Sequence, residues 1–170
     1  MDMSEHMSPQ ELRRKWKLAN AEPLEGGHRV EAYRALSGAC PAFVPNLLSL
    51  SRTLLAGRQG DADDAVAQAE QALRDAADVS AGAPEPLLEL GRFLSTVRAS
   101  PVEAERAFAS AAEGALSLLE EAWAGRIQAL GAQGQLEAAL EVEEQARGVF
   151  PNSKAITLAV ASAHRHAAGR

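Results

Sequence analysis

The sequence contains a single cysteine, Cys40, among its 170 residues. One cysteine cannot form an internal disulfide, and no CxxC pair is present to hold zinc, so a disulfide scaffold and a zinc-ribbon domain are both excluded. Aromatic residues make up only 4% of the chain, and Ile and Val are far outnumbered by Ala and Leu, which favours helix over sheet. We expect Cys40 to be a buried, unreactive thiol.

Long apolar runs are missing as well. No stretch approaches the ~18 consecutive apolar residues that cross a bilayer. Residues 1–7 are polar and acidic, unlike the basic and then apolar start of a signal peptide. We therefore expect a cytoplasmic protein without a membrane partner. The formal net charge of −6 repels a phosphate backbone, so a nucleic-acid partner is not expected either.

Patterns that carry catalysis or bind metals are also lacking. The sequence has no GxSxG, no HExxH and no phosphate-binding glycine loop. Its four histidines are His6, His28, His164 and His166. The last two lie two residues apart, so on a helix they point in different directions and cannot chelate a metal together. The acidic cluster from Asp61 to Asp64 lacks the glycine and the distal glutamate of a calcium loop. We expect no enzyme, no metal and no cofactor.

Helix-forming segments fill most of the chain. Apolar residues recur at three- and four-residue spacing, as at Leu47, Leu50 and Leu54, which is typical of helices packed on a core. Short Gly, Pro, Asp or Ser breaks divide the chain into nine predicted helices. The breaks fall at residues 26–27, 41–45, 57–61, 80–86 and 100–101, near Ser117, and at 131–134 and 151–153.

Two of these helices begin with the same motif. Residues 8–11 and 100–103 both read Ser-Pro-x-Glu, which predicts a capping box with serine as the N-cap and glutamate returning a hydrogen bond three residues later. Helices joined by such short loops lie antiparallel to their neighbours. Pro23 should shorten or kink the end of the first helix.

A repeated unit underlies these helices. Trp16 and Trp123 are 107 residues apart, and the same offset relates Gly27 to Gly134, Ala32 to Ala139 and Ala39 to Ala146. Two further units fit less strictly and start their first helix near Leu47 and Leu87. The four anchors are 31, 40 and 36 residues apart, near the ~34 of a two-helix repeat.

The unit resembles the tetratricopeptide repeat, most closely from Glu120 to Ser153. The matching residues there are Trp123, Gly134, Ala139, Ala146 and Pro151. The resemblance implies an all-α, right-handed superhelix of about four helix pairs with a C-terminal capping helix, in a single domain over residues 1–170. The units are placed at 8–43, 44–82, 84–118 and 119–152, and the cap at 153–168. Arg126 and Ile127 depart from the usual pattern. Trp16 and Trp123 should pack between the two helices of their own units.

The resemblance also implies a binding surface, because the first helix of each repeat lines the concave face. The residues carried over to this groove are Arg14, Lys17, Leu48, Arg52, Leu88, Arg92, Ala124 and Gln128. Arg52 and Arg92 hold the same place in neighbouring units, and two guanidinium groups would attract a carboxylate-rich peptide. The alternative is that these arginines are solvated or serve as local ion-pair partners.

Two functions follow as expectations. The first is an adaptor that binds a peptide or protein, preferably acidic, in the concave groove. The second is a structural subunit of a homo- or hetero-oligomer that uses its terminal or lateral helix faces, which an exposed apolar face on the C-terminal helix would favour. An enzyme would require a deep pocket with converging titratable groups.

Overall fold

The structure is a computed structural model that describes residues 7–21, 27–57 and 62–168. Within these ranges the chain forms eight α-helices and no strand, as the composition predicts. They are α1 (Pro9–Ala21), α2 (Gly27–Ala39), α3 (Val44–Ala56), α4 (Ala62–Val79), α5 (Pro84–Thr96), α6 (Pro101–Ala132), α7 (Leu136–Val149) and α8 (Lys154–Ala168). None of these helices combines the length with the apolar character needed to cross a bilayer. The predictions for His6, Pro23, Gly26, Gly60 and Asp61 fall outside the described residues.

The first predicted capping box is confirmed. The Glu11 side chain accepts hydrogen bonds from the Ser8 backbone N–H at 3.0 Å and from its hydroxyl at 2.8 Å, and Ser8 Oγ accepts one from the Glu11 N–H at 3.3 Å. These bonds hold the pKa of Glu11 below its ordinary value of 4.5. The helix therefore starts where a serine satisfies an otherwise unpaired N–H group.

The second box, at the start of α6, forms only in part. Ser100 Oγ donates to Glu103 Oε1 at 3.3 Å, but the Ser100 N–H donates to the carbonyl of Leu94 at 2.9 Å. That bond belongs to the turn that ends α5, in which Ala99 has a φ of 51°. The competing C-terminal cap thus takes the donor that a full capping box would use.

The predicted break near Ser117 is wrong, because α6 runs without interruption from Pro101 to Ala132. Its surroundings are rich in Ala, Leu and Glu, and a lone serine lowers helix propensity by only a few tenths of a kcal/mol, about half the cost of a glycine. The predicted boundary between units at 118/119 therefore lies inside a helix. The division into four helix pairs within one domain stays a prediction.

Two compact units divide the chain, Met1–Ala112 and Glu113–Arg170, here called unit 1 and unit 2. In unit 1, consecutive helices from α1 to α5 pack against each other around a core that includes Tyr33, Leu36 and Leu73. Asn46 is fully buried and donates to the Tyr33 carbonyl at 3.0 Å and to Ser37 Oγ at 2.8 Å. These bonds tie α3 to α2. Cys40 is half-buried against the same core, so its burial is less complete than predicted.

Unit 2 has a core made largely of small residues. Its buried side chains are Ala124, Ile127, Ala139, Val142, Ala146, Ile156, Ala159 and Ala163. Gly131 lies so close to α8 that a Cβ built on it would meet the Cα and Cβ of Ala163 at 2.5 Å. The helices of this unit approach each other closely because these contact positions carry little or no side chain.

The spacing of 107 residues recurs as a spatial relationship. Trp16 meets Phe43 edge to face with ring centroids 5.9 Å apart and planes at 75°, and Trp123 meets Phe150 with the same distance and angle. Phe43 and Phe150 are themselves 107 residues apart. Trp16 also donates from Nε1 to Ser49 Oγ of α3 at 3.1 Å. Trp16 therefore contacts the next predicted unit in addition to Phe43 of its own.

The offset does not hold along the second helix of the repeat. Ala139 and Ala146 are fully buried, whereas Ala39 is exposed and Ala32 half-buried. The buried residues of α2 are Tyr33 and Leu36, which lie 106 residues before Ala139 and Val142 of α7. Burial thus places α2 one residue out of the register that the sequence alignment assigned to it.

Candidate functional site

Arg52 and Arg92 converge on one carboxylate. Arg52 on α3 donates from Nη2 to Glu89 Oε1 at 3.1 Å, and Arg92 on α5 donates from Nη1 to the same oxygen at 3.2 Å. Their side chains remain 55% and 60% exposed, while that of Glu89 is 21% exposed. The two guanidinium groups therefore lie on one surface of unit 1 and keep most of their donors open to solvent.

The charge of this cluster is unbalanced. Two guanidinium groups and one carboxylate leave one net positive charge, and a single carboxylate oxygen cannot satisfy the donors of both arginines. The arginines are local ion-pair partners, as the alternative interpretation held. Sequence reasoning missed Glu89, although its spacing of three residues from Arg92 on a helix was a usable signal.

The other predicted groove residues differ in accessibility. Leu48 is only 3% exposed and belongs to the core of unit 1, so it presents no surface to a partner and is a correction to the predicted groove. Leu88 is 38% exposed on α5, next to Glu89. In unit 2, Gln128 is exposed, whereas Ala124 is buried in the core, and neither belongs to the arginine cluster.

Arg14 and Lys17 are exposed on α1, which carries four cations and one acid. The cations are Arg13, Arg14, Lys15 and Lys17, and none forms an ion pair with another residue that the structure describes. The acid, Glu11, is held in the capping box at the start of the helix. The surface of α1 is thus cationic in a chain whose net charge is −6.

An apolar groove lies between α1 and α2, with a cavity volume of about 310 Å³. Its apolar lining residues are Met7, Leu18, Ala19, Ala32, Ala35 and Leu36, and Lys15 lines it as well. Leu18 is 60% exposed, which is unusual for a leucine beside a core. The sequence reasoning missed this groove. Its one signal was Leu18, a large apolar residue directly after the cation-rich segment from Arg13 to Lys17.

A second cluster of charges in unit 1 links α4 to α6 and to the turn that follows α5. Glu70 accepts from Arg74 at 2.8 and 2.9 Å and from Arg98 at 2.6 Å, and Arg74 also donates to Glu103 at 3.1 Å. Burial alone would raise the pKa of Glu70, but the hydrogen bonds from Arg74 and Arg98 outweigh it and hold that pKa below 4.5. The hydrogen bonds that Arg74 donates to Glu70 and Glu103 raise the pKa of Arg74. This cluster links separate segments of unit 1.

No group of three or more His, Cys, Asp or Glu side chains within residues 7–21, 27–57 and 62–168 is arranged to hold a metal ion. His28 lies 3.8 Å from Glu31 on an exposed turn of α2. His166 contacts the Ser162 carbonyl of its own helix at 2.8 Å. The contacts of His28 and His166 are thus local.

Comparison with known proteins adds two findings. The sequence profile described as the Myxococcota tetratricopeptide repeat protein family matches residues 4–81. Over 170 residues the chain is 75% identical to an uncharacterized 18.1 kDa protein of Myxococcus xanthus from the carS 3′ region, an alignment that covers 99% of this chain and 100% of the relative. The matched residues include Trp16, Phe43 and Arg52.

Proposed function

Because the chain belongs to the Myxococcota tetratricopeptide repeat protein family, we propose that it is an adaptor that binds a carboxylate-bearing peptide or partner protein. The binding surface is the face of unit 1 around Arg52 and Arg92, with Leu88 beside it. Stacked helix pairs of this kind commonly present extended surfaces for partners. Non-catalytic binding is also consistent with the absence of a catalytic motif in the sequence.

The observation that carries the proposal is the sharing of Glu89 by the two arginines. Each guanidinium is already oriented by Glu89, so less side-chain entropy is lost when a partner carboxylate binds. An Arg–carboxylate pair forms two parallel hydrogen bonds, which gives direction as well as attraction. Arg14 and Lys17 add positive charge on the same unit and attract acidic partners over a distance of ~8 Å at physiological ionic strength.

The test begins with co-purification of a tagged chain from its native cells and measurement of the affinity of the recovered partner. Changing Arg52→Ala together with Arg92→Ala should weaken binding at least about tenfold, and the wild-type affinity should fall as salt rises. The matched control is Arg106→Ala with Arg126→Ala, which removes the same charge from exposed positions of α6. Equal loss in both double variants contradicts a specific site and leaves only general electrostatic attraction.

A third variant separates the local ion pair from partner binding. Glu89→Gln keeps the shape of the side chain but frees both guanidinium groups from a competing carboxylate. If a partner carboxylate binds there, its affinity rises in this variant. An affinity that falls together with that of the arginine variants would show that Glu89 itself contacts the partner.

The second candidate function is a structural subunit, and exposed leucines favour it. Leu158 on α8 is 67% exposed, and Leu116, Leu118 and Leu119 on α6 are between 38% and 57% exposed. Exposed leucines are typical of an interface where they form a contiguous patch. Sedimentation velocity over a range of concentrations tests this function. An oligomer that Leu158→Glu dissociates supports it, and a monomer at all concentrations contradicts self-assembly.

A further inference from the structure

A second surface of unit 1, distant in sequence from the arginine cluster, combines apolar and cationic groups. The groove between α1 and α2 has a volume of about 310 Å³ and is lined mainly by apolar side chains. That volume is at the lower end of ligand pockets, which start at ~300 Å³. It accommodates one or two apolar side chains of a larger partner better than a whole cofactor.

Leu18 is the anchor of this surface. Its side chain lines the groove and yet remains 60% exposed, so a substantial apolar area stays in contact with water. Removing this area from water contributes favourable free energy to binding. A partner that inserts an apolar side chain beside Leu18, Ala35 and Leu36 would recover this free energy.

Charge complementarity selects the partner. Lys15 lines the groove, Arg14 lies one turn before Leu18 on the same helix, and neither pairs with a carboxylate of the described residues. Glu11, the acid of α1, is engaged by both the N–H and the hydroxyl of Ser8. Glu11 attracts Lys15 and Arg14 electrostatically but forms an ion pair with neither. One carboxylate does not balance the four cations of α1, so acidic residues of a partner would meet uncompensated positive charge.

The backbone conformation of the partner follows from the lining. The groove offers alanine, leucine and methionine side chains and one ammonium group, so it cannot satisfy the N–H and C=O groups of an extended peptide. Such groups destabilise a complex when they are buried without hydrogen-bond partners. A helix satisfies these groups internally, and two packed helices present a groove that fits the ridge of a third.

We propose that the α1–α2 groove is a docking site for an acidic amphipathic helix of a partner protein. The helix places apolar residues spaced three and four apart against Leu18, Ala35 and Leu36, and its Asp or Glu residues lie against Lys15 and Arg14. This site is separate from the surface around Arg52 and Arg92, and it does not depend on the function proposed for that surface.

The test uses a phage-displayed library of helix-forming peptides, selected on the full-length protein and counter-selected on its Leu18→Glu variant. The peptides enriched should carry apolar residues at three- and four-residue spacing, flanked by Asp or Glu. Leu18→Glu and Lys15→Glu should each weaken the best peptide by about tenfold or more. Val102→Glu is the matched control, since Val102 is 63% exposed elsewhere on unit 1, and should stay within about twofold.

Further arms separate the rival explanations. Leu18→Lys should also weaken binding, because it removes the apolar anchor while adding a cation; tighter binding would show attraction by charge alone and overturn the proposal. Enrichment of basic or extended peptides, or no enrichment over the Leu18→Glu protein, overturns it too. All variants are checked by circular dichroism and melting temperature, so that a folding defect is recognised.

Other occupants of the groove would give different experimental results. A concentration-dependent dimer that Leu18→Glu dissociates would place a second copy there, and binding of anionic vesicles or an oligonucleotide that this variant abolishes would place a membrane or nucleic acid there. Each result overturns the proposal. The variant carrying Arg52→Ala and Arg92→Ala should bind the selected peptide as the wild type does. If it loses the peptide, the docking site fails while the function proposed for the arginine cluster survives.

Discussion

Trp123 and Phe150 meet edge to face, with ring centroids 5.9 Å apart and planes at 75°. We expect Trp123→Ala to destabilise unit 2 by about 2–3 kcal/mol, below the 3–5 kcal/mol typical of a fully buried tryptophan because Trp123 is only half-buried. A double-mutant cycle with Phe150→Ala should give a coupling of about 0.5–1.5 kcal/mol. Urea unfolding measures both values. A coupling of zero would show that the two rings touch without stabilising each other.

Ala146 and Ala39 provide a test of the repeat register. The sequence alignment pairs them, but Ala146 is fully buried and Ala39 is exposed. Ala146→Leu should overpack the contact and cost about 1–3 kcal/mol, whereas Ala39→Leu should change stability by less than about 0.5 kcal/mol. Thermal unfolding of both variants and of the wild type measures these two changes in stability. Equal effects at both positions would restore the original alignment.

Gly131 and Gly125 on α6 should respond to alanine with opposite signs. At Gly131 a Cβ would meet the Cα and Cβ of Ala163 at 2.5 Å, whereas at Gly125 it would meet nothing within 4 Å. Gly131→Ala should therefore destabilise unit 2 by about 1–3 kcal/mol. Gly125→Ala should stabilise the helix by about 0.5–1 kcal/mol, because glycine is the weaker helix former. The free energy of unfolding in urea reports both, and stabilisation by both changes would contradict the close approach of α6 and α8.

Glu70 should make stability depend on pH. Its pKa in the folded chain lies below 4.5, so its contribution is present above that value and is lost as pH falls through the folded pKa. Glu70→Gln should lower the stability by about 1 kcal/mol at neutral pH, a modest value because the partner arginines are partly exposed. The difference from wild type should shrink in acid. Urea unfolding at several pH values measures it, with Glu105→Gln on the exposed face of α6 as the control. A pH-independent difference would contradict the ionic role.

Local signals in the sequence predicted local structure well. The Ser-Pro-x-Glu motif at residues 8–11 gave a capping box because all of its partners lie within one turn. The spacing of Trp16 and Trp123 predicted a repeat, and each tryptophan has its own phenylalanine at the same distance and angle. Such signals depend on a few neighbouring residues, which the sequence contains in full.

Predictions failed more often where the outcome depended on competing local preferences or on contacts between residues distant in sequence. Ser117 resembled a break, but strong helix formers on both sides outweighed one serine. Leu48 was assigned to a surface by alignment, whereas its burial depends on how α3 packs against its neighbours. The role of Glu89 required knowledge that Arg52, 37 residues earlier, lies within hydrogen-bonding distance. Contacts of this kind are set by tertiary packing, which periodicity alone does not specify.

The alanine-rich core of unit 2 has a thermodynamic consequence. Five of its eight buried residues are alanines, so unfolding exposes less apolar surface than it would from a leucine core of the same size. The heat capacity of unfolding scales with the apolar area exposed, at about +0.45 cal/K/mol per Å². A small heat capacity change gives a shallow curve of stability against temperature. The free energy of unfolding of unit 2 should therefore vary almost linearly with temperature, with its maximum and its cold denaturation both displaced to lower temperature.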